Sequence, residues 1–225
     1  MLDVERLRVL MAQDPRAFIR DVTEVSQPPA CPEIDLWLAT EVTPLWEATE
    51  ALLLRVNVPP PYWAFCWAGG QALTRYVLDN PELVRGKRVL DFAAGSGASA
   101  IAAAMGGAAH VLAADIDPLA CAVIPLNAEL NGVAVDVTDQ DVVGQDCRWD
   151  VVVAGDVCYE RPMTEHIFPW LRSLAAAGAT VLMADPGRAY LPKTGLLEVA
   201  RTTVRTSLEL EDRDRREVVV YKIVG

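Results

Sequence analysis

Two histidines in 225 residues, no C-x-x-C pair among five cysteines and no run of five Lys or Arg leave several kinds of chemistry without their residues. A structural zinc site needs four thiolates or imidazoles at close spacing, and Cys31, Cys66, Cys121, Cys147 and Cys158 are too scattered to supply one. They read as buried free thiols in a reducing compartment, and no metal is expected. His110 opens a β-type run and His166 falls inside a helical one, each without a paired acid or nucleophile, so both read as structural. Basic residues number 20 against 31 acids, and the net charge of −11 repels phosphate backbones and argues against nucleic-acid binding. Near the N-terminus Asp3, Glu5, Asp14 and Asp21 interleave with Arg6, Arg8, Arg16 and Arg20. A signal peptide needs a basic start and a transit peptide few acids, so a cytoplasmic, bacterial-type protein is expected. Residues 92–114 carry no charge, yet they are mostly Ala and Gly, with Gly95, Gly97, Gly106 and Gly107 breaking the run. That reads as strand, turn, buried helix, turn and strand, and no membrane span is expected.

What is present suffices for a core: 52% of residues are apolar and 23% charged. The length suits one domain at roughly 100–200 residues each. We expect a helical N-terminal extension over residues 1–57 and the main unit over 58–225. Leu2, Val4, Leu7, Leu10 and Met11 fall at helical spacing, and residues 47–56 read as a second short helix. After the prolines Pro59, Pro60 and Pro61 comes a dense aromatic cluster ending in Gly69-Gly70, continued by a helix to residue 78. From Lys87 the rhythm alternates: β-type runs at 88–92, 110–115, 133–137, 150–156 and 179–185, with helical stretches at 98–105, 118–131 and 163–176. Alternation implies a mostly parallel, Rossmann-like sheet with helices on both faces. After residue 185 we expect a helix near 194–201, then an antiparallel hairpin of 204–210 and 217–224 about a charged turn.

The segment Asp91-Phe92-Ala93-Ala94-Gly95-Ser96-Gly97 ends a strand and opens a helix, and Asp115 follows Gly95 by 20 residues at the next strand end. Glycines permit close backbone approach, the helix start offers unpaired N–H groups, and Asp115 suits ribose hydroxyls. On spacing alone this fits a dinucleotide fingerprint. Asp91, four residues before the first glycine, favours a different ligand: its carboxylate would repel a pyrophosphate but suits the cationic S-adenosylmethionine. Almost ninety residues before the turn, and the terminal hairpin, also fit the methyltransferase variant of the sheet.

The stretches 91–97, Asp115-Ile116-Asp117-Pro118, Asn127 with Asn131, and 149–159 resemble the seven-β-strand protein lysine methyltransferases. Residues 60–73 and Asp185-Pro186-Gly187-Arg188 more closely resemble the electron transfer flavoprotein β-subunit lysine methyltransferases. The resemblance covers residues 58–190, with Cys158 and Ala93-Ala94 as departures. It implies a seven-stranded class I methyltransferase sheet using S-adenosylmethionine, leaving S-adenosylhomocysteine, with the electron transfer flavoprotein β-subunit as substrate. It further implies Gly95, Ser96 and Gly97 along the methionine moiety, Asp91 at the α-amino group, Asp115 at the ribose and Asp141 at the adenine amine. Trp67 and Trp149 match cofactor-proximal tryptophans, with Tyr62, Trp63 and Phe65 in support. Asp156 and Tyr159, an Asp-x-x-Tyr motif at a strand end, would act on the substrate lysine, with Glu160, Asp185 and Arg188 facing the substrate. Asn127 and Asn131 read as surface or helix-capping residues. A monomer is expected. Another protein or a small amine as substrate, an NAD-binding reductase and a non-catalytic binding module stay open.

Overall fold

Short valine-rich runs that end on aspartates build the central sheet. The computed structural model describes residues 11, 13–39 and 61–225. Strands β3 (Arg88–Phe92), β4 (His110–Ala114), β5 (Asp136–Thr138), β6 (Val151–Gly155) and β7 (Thr180–Asp185) pair in parallel. Val151, Val152, Val153 and Ala154 are all fully buried, as in a strand covered on both faces. Alternate residues point to opposite sides: Val151 and Val153 join one hydrophobic cluster, Val152 and Ala154 the other. Helices α2 (Ala68–Asp79), α3 (Ala98–Met105) and α4 (Pro118–Leu130) contribute to the first cluster, and α5 (Arg161–Ala176) to the second. The uncharged stretch 92–114 is strand end, turn, α3, turn and β4, as its glycines imply.

The strand order is β5-β4-β3-β6-β7-β9-β8, where β9 (Arg215–Ile223) is antiparallel to both β7 and β8 (Leu196–Arg205). The chain reverses its direction of growth between β3 and β6. This opens a crevice at their carboxyl ends, the place where open α/β sheets bind ligands.

Two expectations need correction. Of the segment expected to be helical near 194–201, residues 196–201 belong to β8, and the hairpin therefore starts earlier than residue 204. Val199, Thr202, Thr203 and Val204 stiffen the segment at χ1 and favour a strand, and it pairs along nine positions with β9. Only a single turn, α6 (Leu208–Glu211), separates the two strands. The N-terminal segment is also not helical throughout. After α1 (Pro15–Val22), capped by Asp14 accepting the Ala17 N–H at 3.0 Å, it forms a two-stranded antiparallel sheet of β1 (Glu24–Ser26) and β2 (Leu36–Leu38). The expected helices at 2–11 and 47–56 lie outside the described residues, apart from residue 11.

The N-terminal segment shares the main core through Phe18, Ile19, Ile34 and Leu36. Asn131 ends α4 as its C-cap and holds both backbone groups of Asp35: its Oδ1 accepts the N–H at 3.0 Å and its Nδ2 donates to the carbonyl at 2.7 Å. Asn127, expected at the surface or as a helix cap, is fully buried inside α4, because the backbone of β2 lies against α4 and needs partners.

Helix α2 starts directly on the sheet. A Cβ on Gly69 would sit 2.5 Å from Asp156 Oδ2 and 2.6 Å from the Ala184 carbonyl oxygen. Opposite, a Cβ on Gly155 would meet Gly70 Cα at 2.9 Å. We predict that Gly69→Ala lowers stability by about 1–3 kcal/mol through forced retreat of α2. The urea midpoint checks it; an unchanged midpoint would show that the contact is not tight.

Candidate functional site

The crevice between β3 and β6 holds an open cleft, at the place where open α/β sheets bind ligands. Trp67, Gly70, Asp91, Gly95, Ser96 and Asp156 are among its lining residues. One wall is the turn after β3, in which Ala93, Gly95 and Gly97 all have positive φ, of 54°, 53° and 76°. Gly97 is required twice over: its φ favours glycine, and a Cβ would meet Ile124 of α4 at 3.0 Å.

Gly97 is the N-cap of α3 and has no side chain to close the helix start. Asp91 does so from the strand, its Oδ2 accepting the Ala100 N–H at 2.9 Å. Burial pushes Asp91 well above the ordinary carboxylate range. Asp115, one residue beyond β4, accepts the Gly95 N–H at 2.8 Å with Oδ2 and the Asp117 N–H at 2.9 Å with Oδ1. Burial raises Asp115 too, against the opposing pull of those two bonds.

Asp156 forms the floor. It has φ of 56°, and its Oδ2 accepts the Gly70 N–H at 3.0 Å, closing the start of α2 as Asp91 closes α3. Its Oδ1 receives Arg188 Nε at 3.1 Å and Nη2 at 2.8 Å. Arg188 Nη2 also reaches Glu211 Oε1 at 3.1 Å, and Glu211 is only 4% exposed. Burial pushes Asp156 up to about 6, although Arg188 opposes it. Asp185 Oδ1 accepts the N–H groups of Gly187 and Arg188, both at 2.7 Å, and so shapes the loop that aims Arg188. Thus Arg188 meets acids of its own chain, and Asp185 serves its own backbone. Of the three acids expected toward the substrate side, Glu160 alone is exposed.

Two tyrosines stand at the mouth. The rings of Tyr62 and Tyr159 lie 5.5 Å apart, and both are exposed to about 40%. Trp67 packs edge-on to Tyr62 at 5.8 Å and donates its Nε1–H to the Tyr62 carbonyl at 3.0 Å. Burial, Tyr62 and Glu160 push Tyr159 up to about 12, so its phenol stays neutral near pH 7 and is no base there.

Asp141 is exposed beyond β5, its Oδ1 accepting the Val143 N–H at 2.9 Å. Trp149 is a correction: it stacks on His110 at 5.9 Å, by the amino end of β4 and away from the cleft, because it precedes β6 instead of following it. Phe65, Cys66, Gly70 and Ser99 also line the cleft without having been singled out as ligand contacts. The aromatic run ending in Gly69-Gly70 was the available signal for three of them. Glu211 had none, since a charged turn reads as solvated.

The stability of the protein carries a trace of this burial. The folded-state value of about 6 for Asp156 exceeds the ordinary 3.8, so the folded chain binds the extra proton between those values. That contribution is therefore present at low pH and lost as pH rises toward about 6. We predict that the stability of wild type relative to Asp156→Asn declines from pH 4 to pH 6.5 and is flat above. Urea midpoints across that range check it; a constant difference would contradict the raised value.

Comparison with known proteins places this geometry. A family model described as ribosomal protein L11 methyltransferase (PrmA) matches residues 71–159, the part that contains the glycine turn and both wall strands. A Xenopus laevis protein named electron transfer flavoprotein beta subunit lysine methyltransferase is 42% identical over 197 residues, which span 86% of this chain and 79% of that protein. The Homo sapiens protein of the same name is 44% identical over 177 residues, 77% of this chain and 66% of its own length. The solved structure of magnesium protoporphyrin IX methyltransferase (ChlM) from Synechocystis PCC 6803 with bound SAH matches with TM-score 0.51 at 18% identity. It covers 68% of this chain and 80% of that one, and at such identity it bears on the fold alone. The expected class I methyltransferase sheet is the fold of this protein.

Proposed function

This chain belongs to the family of electron transfer flavoprotein β-subunit lysine methyltransferases, and from that premise we propose that it methylates lysine side chains of that subunit, using S-adenosylmethionine. One observation carries the reading: a cleft with acids on its walls is bordered, next to the lining Trp67, by a mouth of two exposed tyrosines, Tyr62 against Trp67 and Tyr159 against Tyr62. No basic residue is among those described as lining the cleft, which disfavours the pyrophosphate of NAD. Asp91, on the cleft wall, offers a carboxylate to a cationic amino acid moiety; Asp115, which holds the lining residue Gly95, is our candidate for the ribose hydroxyls, and the Gly95–Gly97 turn lets the backbone approach. Asp141 is our candidate for the adenine amine.

S-adenosylmethionine, when bound, supplies an electrophilic methyl on its sulfonium. The chain's own work is to present a neutral lysine nitrogen in line with it. A free lysine has a pKa of ~10.4, so little neutral amine exists at pH 7. Against the paired rings of Tyr62 and Tyr159 the ammonium loses hydration, which lowers that value. The neutral phenol of Tyr159 can accept a hydrogen bond from the amine and orient it. Asp156, held by Gly70 and Arg188, places a buried negative charge behind this mouth. Five free cysteines agree with a reducing compartment such as the cytoplasm. No helix of the described residues is long and apolar enough to cross a membrane. We read residues 58–225 as the unit that carries the chemistry, acting as a monomer.

Three outcomes test the proposal. Mass spectrometry of purified electron transfer flavoprotein, incubated with the enzyme and S-adenosylmethionine, should show methyl additions on the β-subunit that Tyr159→Phe slows strongly; an unmodified subunit refutes the substrate. Asp115→Ala should weaken S-adenosylmethionine by ~1–3 kcal/mol in calorimetry, and acidification should weaken it further, because the raised Asp91 must release its proton to meet the cation. Added salt should raise KM and leave kcat nearly unchanged, since the net charge of −11 attracts a basic surface through a Debye length that falls from about 10 Å at 0.1 M to about 3 Å at 1 M.

A further inference from the structure

Asn127 and Asn131 lie one turn apart on α4, and the N-terminal sheet runs along them. Asn131 serves the N-terminal segment and its own helix, holding Asp35 and donating to the Asn127 carbonyl at 2.7 Å. Asn127 does something different. Its Oδ1 accepts the Trp37 N–H at 2.7 Å, and its Nδ2 donates to the Ser96 carbonyl at 2.9 Å. A backbone N–H can only donate and a carbonyl can only accept, so the amide has one allowed orientation. The pair is shielded from bulk solvent, since Asn127 is 0% exposed and Ser96 is 4% exposed. Ser96 lines the cleft and sits between the two positive-φ glycines, Gly95 and Gly97. One side chain therefore ties β2 of the N-terminal segment to the middle of the turn. The same segment reaches the mouth, because the Ala39 N–H donates to the Ala64 carbonyl at 2.8 Å, in the 3-10 turn Tyr62–Ala64.

We propose that Asn127 is a positioning residue of the cofactor turn, through which the N-terminal sheet braces the Ser96 carbonyl and the backbone around it. The proposal rests on the reading of this cleft as the S-adenosylmethionine site. A carboxylate at 127 keeps an acceptor for Trp37 and has no donor for Ser96, so it separates the two bonds. Coupling of this kind is reciprocal: what the sheet does for the cofactor, the cofactor does for the sheet.

The probe is S-adenosylhomocysteine, and the protein is the full chain. In wild type, a saturating amount should slow NMR-detected amide exchange of Trp37 and Asp35, neither of which lines the cleft. Asn127→Asp and Asn127→Ala should each bind it about tenfold more weakly in calorimetry, as expected for a lost buried hydrogen bond. In both variants the exchange at Asp35 should stop responding to the probe. If the variants bind as wild type does, or if wild-type exchange at Trp37 and Asp35 ignores the probe, the brace does not exist. If the variants do not fold, the wild-type exchange decides alone. Wild type that fails to bind S-adenosylhomocysteine at all removes the cofactor reading and this inference with it, a result distinct from binding without coupling.

Discussion

Four neighbouring strands, β4, β3, β6 and β7, each carry an aspartate within one residue of their carboxyl ends: Asp115, Asp91, Asp156 and Asp185. Burying a carboxylate is costly unless it gathers hydrogen bonds. Each of these gathers them from backbone: Asp115 from Gly95 and Asp117, Asp91 from Ala100, Asp156 from Gly70, and Asp185 from Gly187 and Arg188. The donors are helix starts and loop amides, so satisfying the acids also sets the shape of every loop around the cleft. Helix starts carry partial positive charge, which favours the same arrangement. The cleft inherits its character from this exchange: acids and amides face it, and no basic side chain does among the residues described.

The remaining walls follow from what must fit around those acids. Helix α2 comes close enough for Gly70 to reach Asp156 only because Gly69 and Gly155 lack side chains. The aromatic residues before it, Tyr62 and Trp67, then fall at the mouth beside Tyr159. Below, the pair Asp156–Arg188 extends to Glu211 in the β8–β9 connection, and Arg216 donates to the Glu211 carbonyl at 2.6 Å. A buried ion pair is weak support for stability, but removing one member strands a charge. The network therefore specifies place: it registers the terminal hairpin against the site.

Much of this was legible in the sequence, for reasons that are local. The strand-helix alternation from Lys87, the buried uncharged segment through Ala114 and the turn at Gly95 and Gly97 depend on periodicity and backbone geometry, which short windows carry. The Gly69-Gly70 pair beside the aromatic run hinted at a close approach. Other features had no local signal. Residues 196–201 are strand because β9 lies beside them, and Trp149 stacks on His110 because β4 and β6 flank β3. Glu211 and Asn127 look like surface residues along the chain, yet both are buried by segments distant from them.

The sequence by itself determined the class of sheet, the position of the glycine turn and the acids that follow each strand, because hydrophobic period, glycine and strand-end residues act over a few positions. Only the tertiary structure decided what those acids touch. Asp156 has an arginine 32 residues away and a glycine amide 86 residues away as its partners, and the Ser96 carbonyl is held by an asparagine 31 residues away. Such pairings are set by which elements the strand order brings together, and the demand that every buried polar group find a partner selects among them.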